Sequence, residues 1–327
     1  MRHLSSGPGH GYWETKSAQG LERRRSKALS KEFKSIDQVV ERMSEAGYVA
    51  DKALGTVLFL AHSLEKPLFL EGEPGVGKTE VAIVMSRIFH TKLIRLQCYE
   101  GLDATTALYE WNYPKQLLHI RLQEQGGLSK TEIERAIFSE KFLIKRPLLE
   151  AIQMSEDRPP VLLIDEIDRS DEEFEAFLLE VLSDFQITIP EIGTIRARKR
   201  PMVVVTSNRT RDVHDALKRR CLYHWIDYPS LEKEYQIIMK HLPTINAEFA
   251  LQVAAFVQRL RGEDLLKRPG ISETLDWARA LMTMEVFELN GEIVLETLGC
   301  LLKYHEDLKK FREEIWGEKE KRRAYLE

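Results

Sequence analysis

The chain has 327 residues, 43% hydrophobic and 31% charged, with a formal net charge of −4. That length suits two or three domains around a buried core, and the acidic balance excludes bulk electrostatics as a reason to expect nucleic acid or an anionic membrane. The cysteines, Cys98, Cys221 and Cys300, are scattered and form no Cys-x-x-Cys or Cys/His cluster, so a structural metal is not expected and a reducing cytoplasm is the simplest setting.

Residues 1–34 are polar and then basic, as in "ERRRSKALSKEFK", and read as a flexible tail. It has no apolar stretch of the secretory type, and no run in the chain approaches the roughly 18 apolar residues a membrane helix needs. From Ser35 to His62 the pattern is helical, with Ile36, Val39, Val40 and Met43 at helix spacing. Pro67 opens a short apolar strand that ends at Glu71.

That strand leads into "PLFLEGEPGVGKTEVAIVM", which holds G-x-x-x-x-G-K-T from Gly72 to Thr79. Gly72, Gly75 and Gly77 permit a tight turn whose N–H groups point at phosphate oxygens, and the helix starting near Lys78 adds its N-terminal dipole. Glu73, Pro74, Gly75, Val76, Gly77, Lys78, Thr79 and Glu80 are the candidate ATP-binding residues, Lys78 reaching the β and γ phosphates. The Thr79 hydroxyl is a candidate Mg²⁺ ligand.

Further apolar runs fit buried parallel strands: 92–98, 160–166, 201–208 and 221–228. The third strand, "PVLLIDE", ends in Asp165, a candidate partner of Mg²⁺, and Glu166, a candidate base toward the attacking water. Asp168 reads as a helix-start or surface carboxylate. Ser170 and Glu173 form a plausible capping box for the amphipathic helix that follows. "FQITIPEIGTIRAR" alternates like a hairpin turning near Gly193.

"VVVTSN" brings Asn208 to a strand end, where it could orient the lytic water or simply cap a turn. The order of phosphate-loop strand, acidic strand and polar-tipped strand is that of AAA+ ATPases. Arg219 and Arg220, in "ALKRRCLYHWIDYP", are candidate arginines toward a neighbouring subunit's γ-phosphate, or an ordinary exposed basic pair. From about Ser230 onward the patterns are all helical. The expected architecture is a three-layer αβα nucleotide-binding domain over 35–229 and a helical lid over 230–327.

Together "GEPGVGKT", "LLIDEID", "TSN" and "ALKRRCLYHWIDYP" resemble the MoxR-type AAA+ ATPases across Ser35 to Leu281. "QCYEGLDATTALYEWNYPKQLLHIR", "FLIKRPLLEAI" and "KRPGISETLDWARAL" resemble its CoxD-type branch, found with carbon monoxide dehydrogenase and related molybdenum hydroxylases. The resemblance implies an ATP- and Mg²⁺-dependent ring, expected to be a hexamer. It also implies a partner with a von Willebrand factor A domain and an immature metalloenzyme as client. A chelatase-type motor subunit and a nucleic-acid motor are the alternatives, the latter on "RARKR" at 196–200 and the N-terminal "ERRR".

The lid departs from the family pattern. Where relatives carry a lid arginine this chain reads "GISET", with Ser272 or Glu273 near the position and Arg268 or Arg279 as possible substitutes. "GYVADKAL" (47–54) is expected to pass over the adenine. Tyr99, Tyr109, Trp111 and Tyr113 either anchor a partner or pack on the sheet. Cys98 reads as structural.

Overall fold

The computed structural model describes residues 33–124, 130–154, 158–317 and 325. The tail at 1–34 therefore lies almost wholly outside the described residues.

Helices α1 (Ile36–Glu45) and α2 (Lys52–Leu64) precede strand β1 (Leu68–Gly72). The single helical stretch expected over 35–62 is two helices. Gly47 interrupts it with φ 102°, and Asp51 caps the second by accepting from Leu54 N. β1 runs through the phosphate loop into α3 (Lys78–Ile88) and then β2 (Leu93–Gln97).

An inserted unit follows. It holds α4 (Ala104–Leu108), β3 (Tyr109–Trp111), α5 (Tyr113–Glu124), α6 (Lys130–Ile137), β4 (Leu143–Lys145) and α7 (Pro147–Gln153). β3 and β4 pair antiparallel, Glu110 opposite Ile144. The chain then enters β5 (Val161–Asp165), α8 (Glu172–Asp184), the hairpin β6 (Gln186–Ile189) and β7 (Gly193–Arg196), β8 (Met202–Ser207), α9 (Asp215–Arg220) and β9 (Leu222–Ile226). The hairpin turns where the alternation placed it, with Ile189 opposite Gly193.

The central sheet has the order β2-β5-β8-β1-β9, all parallel. Residues alternate between its faces. Leu68, Leu70, Val161, Leu163 and Val204 pack with α1 to α3, whereas Phe69, Leu162, Ile164, Val203 and Val205 face α7 and α8. This makes three layers, and the strands buried on both faces read as unbroken apolar runs. β2 and β9 correct the expectation of full burial. They are the sheet's edges, where residues such as Arg95 and Tyr223 stay exposed.

The expected capping box of α8 shifts by one residue. Asp171 is the N-cap, accepting from Phe174 N at 2.8 Å, while the Ser170 hydroxyl donates to Ile167 O. After β9 every element is helical: α10 (Leu231–His241), α11 (Ala247–Gly262), α12 (Ile271–Thr283), α13 (Gly291–Thr297) and α14 (His305–Lys310). They enclose their own core around Phe249, Phe256, Trp277 and Phe311. A buried pair, Arg261 on α11 and Glu234 on α10, joins two helices with contacts of 2.6 and 2.7 Å, and Thr274 of α12 donates to Glu234 at 2.8 Å.

Candidate functional site

The ends of β1, β5 and β8 lie side by side, so the residues that follow them converge at one edge of the sheet, where open α/β sheets take ligands. A cleft there is lined by Pro74, Gly75, Gly77, Lys78, Thr79 and Glu80, with Asp165, Glu166, Thr206, Asn208 and Ser272 opposite. Gly75 and Gly77 hold φ of 78° and 93°, which lets the loop curl ahead of α3.

Lys78 is buried, and its ammonium donates to the carbonyls of Gly72 (2.7 Å) and Glu73 (2.6 Å). Burial pushes its pKa down to about 8, against the pull of Asp168, Glu73, Asp165 and Glu166. Thr79 Oγ1 donates to Asp165 Oδ1 at 3.0 Å. A hydroxyl beside a buried carboxylate is the oxygen set a hard cation uses, and the two residues fit Mg²⁺. Among the described residues no group of three or more His, Cys, Asp or Glu could hold a metal, so a cation here would complete its shell with phosphate and water.

Asp165 is held by three side chains, Thr79 being the first. Thr206 Oγ1 donates to Oδ1 at 2.5 Å, and Arg95 donates to Oδ2 through Nε (3.0 Å) and Nη2 (2.6 Å). Glu166 takes a left-handed backbone, φ 57°, which strains a non-glycine residue by roughly 1–2 kcal/mol. Its N–H donates to Thr206 Oγ1 at 2.9 Å. Its carboxylate receives Gln97 Nε2 (3.0 Å) and Arg169 Nη1 (3.2 Å).

Asp168 is not a surface carboxylate. It is 2% exposed and accepts from Asn208 N (3.1 Å), Thr210 N (2.9 Å) and Thr210 Oγ1 (2.6 Å), fixing the turn that carries Asn208. The sequence reading missed Asp168, Arg95, Gln97 and Thr206. The third carboxylate of "DEID" was a signal for the first of these. The charged and amide residues of "LIRLQ", an interrupted strand beside the acidic one, were a signal for the next two.

A second cleft adjoins the first along Gly75, Gly77, Glu80 and Ser272. Its apolar walls come from Val49, Val76, Ile226, Ile237, Ile271 and Leu275, with Gly47 and Tyr48 at its rim. Of the "GYVADKAL" segment, Gly47, Tyr48 and Val49 thus line a cleft next to the phosphate loop, and residues 50–54 do not. The lid touches the loop directly: Ile271 N donates to Gly75 O at 2.9 Å. Glu273 Oε2 accepts from Gly270 N at 3.0 Å, which caps α12, and Ser272 lines both clefts.

Some expected residues are not in the cleft. Val76 is buried in the apolar wall, and Glu73 contributes its carbonyl while its side chain lines neither cleft. Arg268 and Arg279 do not substitute for a lid arginine. Arg268 is exposed outside both clefts, and Arg279 pairs with Asp276 at 3.1 Å on the outer face of α12. Arg219 and Arg220 are exposed on the last turn of α9, away from their own chain's cleft. The aromatic stretch divides: Trp111 is in the core, whereas Tyr99 and Tyr113 are exposed.

Residues 67–221 match the family model of the AAA domain, dynein-related subfamily. Curated relatives include the Holliday junction branch migration complex subunit RuvB of Thermotoga petrophila and of Thermotoga maritima. Each is 27% identical over 215 residues, covering 60% of this chain and 64% of the relative. The chain thus spans less than two thirds of those relatives' length. Among solved structures, the RuvB branch migration motor of Thermotoga maritima is 21% identical, covers 88% of this chain and 78% of its own, and has a TM-score of 0.44. A structure described as an ATPase candidate of Cytophaga hutchinsonii is 16% identical, with coverages of 92% and 94% and a TM-score of 0.45. That match spans a little under half of the chain, and over 67–221 the chain is similar to an AAA domain. No helix among the described residues is long and apolar enough to cross a membrane.

Proposed function

From the similarity to an AAA domain over 67–221, we propose that this chain is an ATP- and Mg²⁺-dependent motor that forms a hexameric ring in the cytoplasm and remodels a protein client. In the MoxR-type reading, the client is an immature molybdenum hydroxylase or CO dehydrogenase-type enzyme, reached with a von Willebrand factor A domain partner. The observation that carries the ATPase reading is the convergence of Lys78, Thr79, Asp165, Glu166 and Asn208 on one cleft, while Arg219 and Arg220 lie outside it. The client rests on the sequence resemblance.

In this reading Lys78 exchanges its two backbone carbonyls for phosphate oxygens. Thr79 and Asp165 hold Mg²⁺, which when bound draws charge from those oxygens. Glu166 accepts the proton of the attacking water, and the Asn208 amide orients that water. Arg220 of one subunit, aided by Arg219, stabilises the charge that develops on its neighbour's nucleotide. Segments 47–49 and 271–275 enclose the base.

Specific ATPase activity should then rise with protein concentration and fall at least ~100-fold in Glu166→Gln. Activity independent of concentration would remove the shared site.

A nucleic-acid motor is the second reading. It is favoured by the printed function of the RuvB relatives and by exposed Arg196, Arg198, Lys199 and Arg200 at and beyond the end of β7. Salt-sensitive retention of DNA or RNA on a filter would support it over the protein-client reading.

A further inference from the structure

β1 carries an acid where its neighbours are apolar. Leu68, Phe69 and Leu70 are fully buried, and Glu71 follows them at 4% exposure. A buried carboxylate is costly, and an apolar residue would serve the strand's packing better. Its partners come from three other elements. Tyr223 of β9 donates its hydroxyl to Oε2 at 2.8 Å. Ser207, at the tip of β8, donates to Oε1 at 3.5 Å. Lys218 of α9 places Nζ 3.6 Å from Oε1 and 5.8 Å from the centre of the Phe69 ring.

Glu71 and two of its three partners adjoin residues of the proposed reaction. Glu71 precedes Gly72, whose carbonyl holds Lys78. Ser207 precedes Asn208, and its hydroxyl also accepts from Arg209 N at 3.0 Å. Lys218 precedes Arg219 and Arg220, the exposed last turn of α9. That helix has six residues, of which Leu217 alone is buried; its final turn closes through Cys221 N donating to Lys218 O at 3.1 Å and runs straight into β9, so the Lys218–Glu71 contact is the side-chain tie from this turn to β1.

We propose that Glu71 is a positioning residue for Arg220: through Lys218 it fixes the arginine-bearing turn to the root of the phosphate loop and to the tip of the Asn208 strand. A change at one subunit's nucleotide thereby reaches the arginines it offers to the next subunit. The proposal rests on the reading that Arg220 acts in trans.

Two substitutions test it. Glu71→Gln keeps the shape and an acceptor for Tyr223 but loses the charge that attracts Lys218. Lys218→Met keeps the stem over Phe69 and loses the same attraction. Each should lower kcat about tenfold with KM for ATP changed less than about twofold, and the double variant should be no worse than the worse single one.

The decisive readout is complementation. Glu71→Gln has its own cleft intact and a misplaced arginine, whereas Glu166→Gln has a dead cleft and a well-placed arginine. Mixed, they should turn over ATP faster than the sum of either alone, and so should Lys218→Met with Glu166→Gln. Arg220→Ala mixed with Glu166→Gln is the control. If the control recovers activity and the Glu71→Gln mixture does not, Glu71 acts within its own cleft and the proposal is overturned. If neither mixture recovers, the trans reading falls and the proposal with it. Should Glu71→Gln fail to fold, Lys218→Met, altered at a partly exposed side chain, carries the test.

Discussion

Gln97 and Glu166 meet across the ends of neighbouring strands, the Gln97 amide donating to Glu166 Oε2 at 3.0 Å. Arg169 donates to the same oxygen. Two donors on one carboxylate oxygen compete with the attacking water for it and must give way before it accepts a proton. Gln97→Ala should therefore raise turnover severalfold to about tenfold, the equivalent of ~1.4 kcal/mol, without changing ATP affinity. A loss of turnover would mean instead that Gln97 orients Glu166 productively.

Lys78 titrates near pH 8 because burial disfavours its ammonium form. Its unfolded value is higher, so between about pH 8 and 10.5 the unfolded chain holds more of this proton and stability from this group rises with pH. ATP binding reverses the balance, since phosphates favour the charged amine. Near pH 8 binding should take up a proton, seen by calorimetry in buffers of different ionisation enthalpy. The uptake should fade toward about pH 6 and be absent in Lys78→Met. Equal heats in all buffers near pH 8 would contradict the assignment.

Gly270 packs on Gly75 so closely that a Cβ on it would come within 2.8 Å of Gly75 Cα. Its φ of −83° is one that alanine adopts freely, so the cost of Gly270→Ala is the contact itself. The lid must withdraw from the phosphate loop, which breaks the Ile271–Gly75 bond and opens both clefts. The expected result is a loss of about 1–3 kcal/mol of stability and severalfold weaker ATP binding, by denaturant titration and fluorescence. Unchanged binding would separate the lid contact from nucleotide capture.

Cys98 and Cys221 are buried, and desolvation pushes each thiol up to about 12. Cys300 is partly exposed. A thiol reagent at neutral pH should modify Cys300 in the native protein and the other two only after unfolding. Rapid reaction of Cys98 would contradict its structural role.

The αβα core could be read because each feature is local: a glycine-spaced loop between strand and helix, apolar runs ending in polar residues, and helical periodicity after Ser230. The phosphate loop, Asp165, Glu166 and Asn208 were legible for the same reason. What could not be read depends on pairing across the fold. Asp168 looked like a surface acid because its donors, Asn208 and Thr210, lie about forty residues on. Arg95 and Gln97 gained their meaning only when β2 paired with β5, opposite Leu163 and Asp165. The break at Gly47 was hidden because apolar residues continue at near-helical spacing on both sides. The cap of α8 fell on Asp171 rather than Ser170 because both residue types cap well and only the backbone distinguishes them.

The central claim is a cleft completed by a neighbouring subunit's arginine, and ATP turnover of Arg220→Ala tests it most directly. Measured across protein concentrations beside the wild type, the variant should bind ATP normally yet lose at least ~100-fold in kcat at the concentration where the wild type is fully active. Wild-type turnover in Arg220→Ala would contradict the claim.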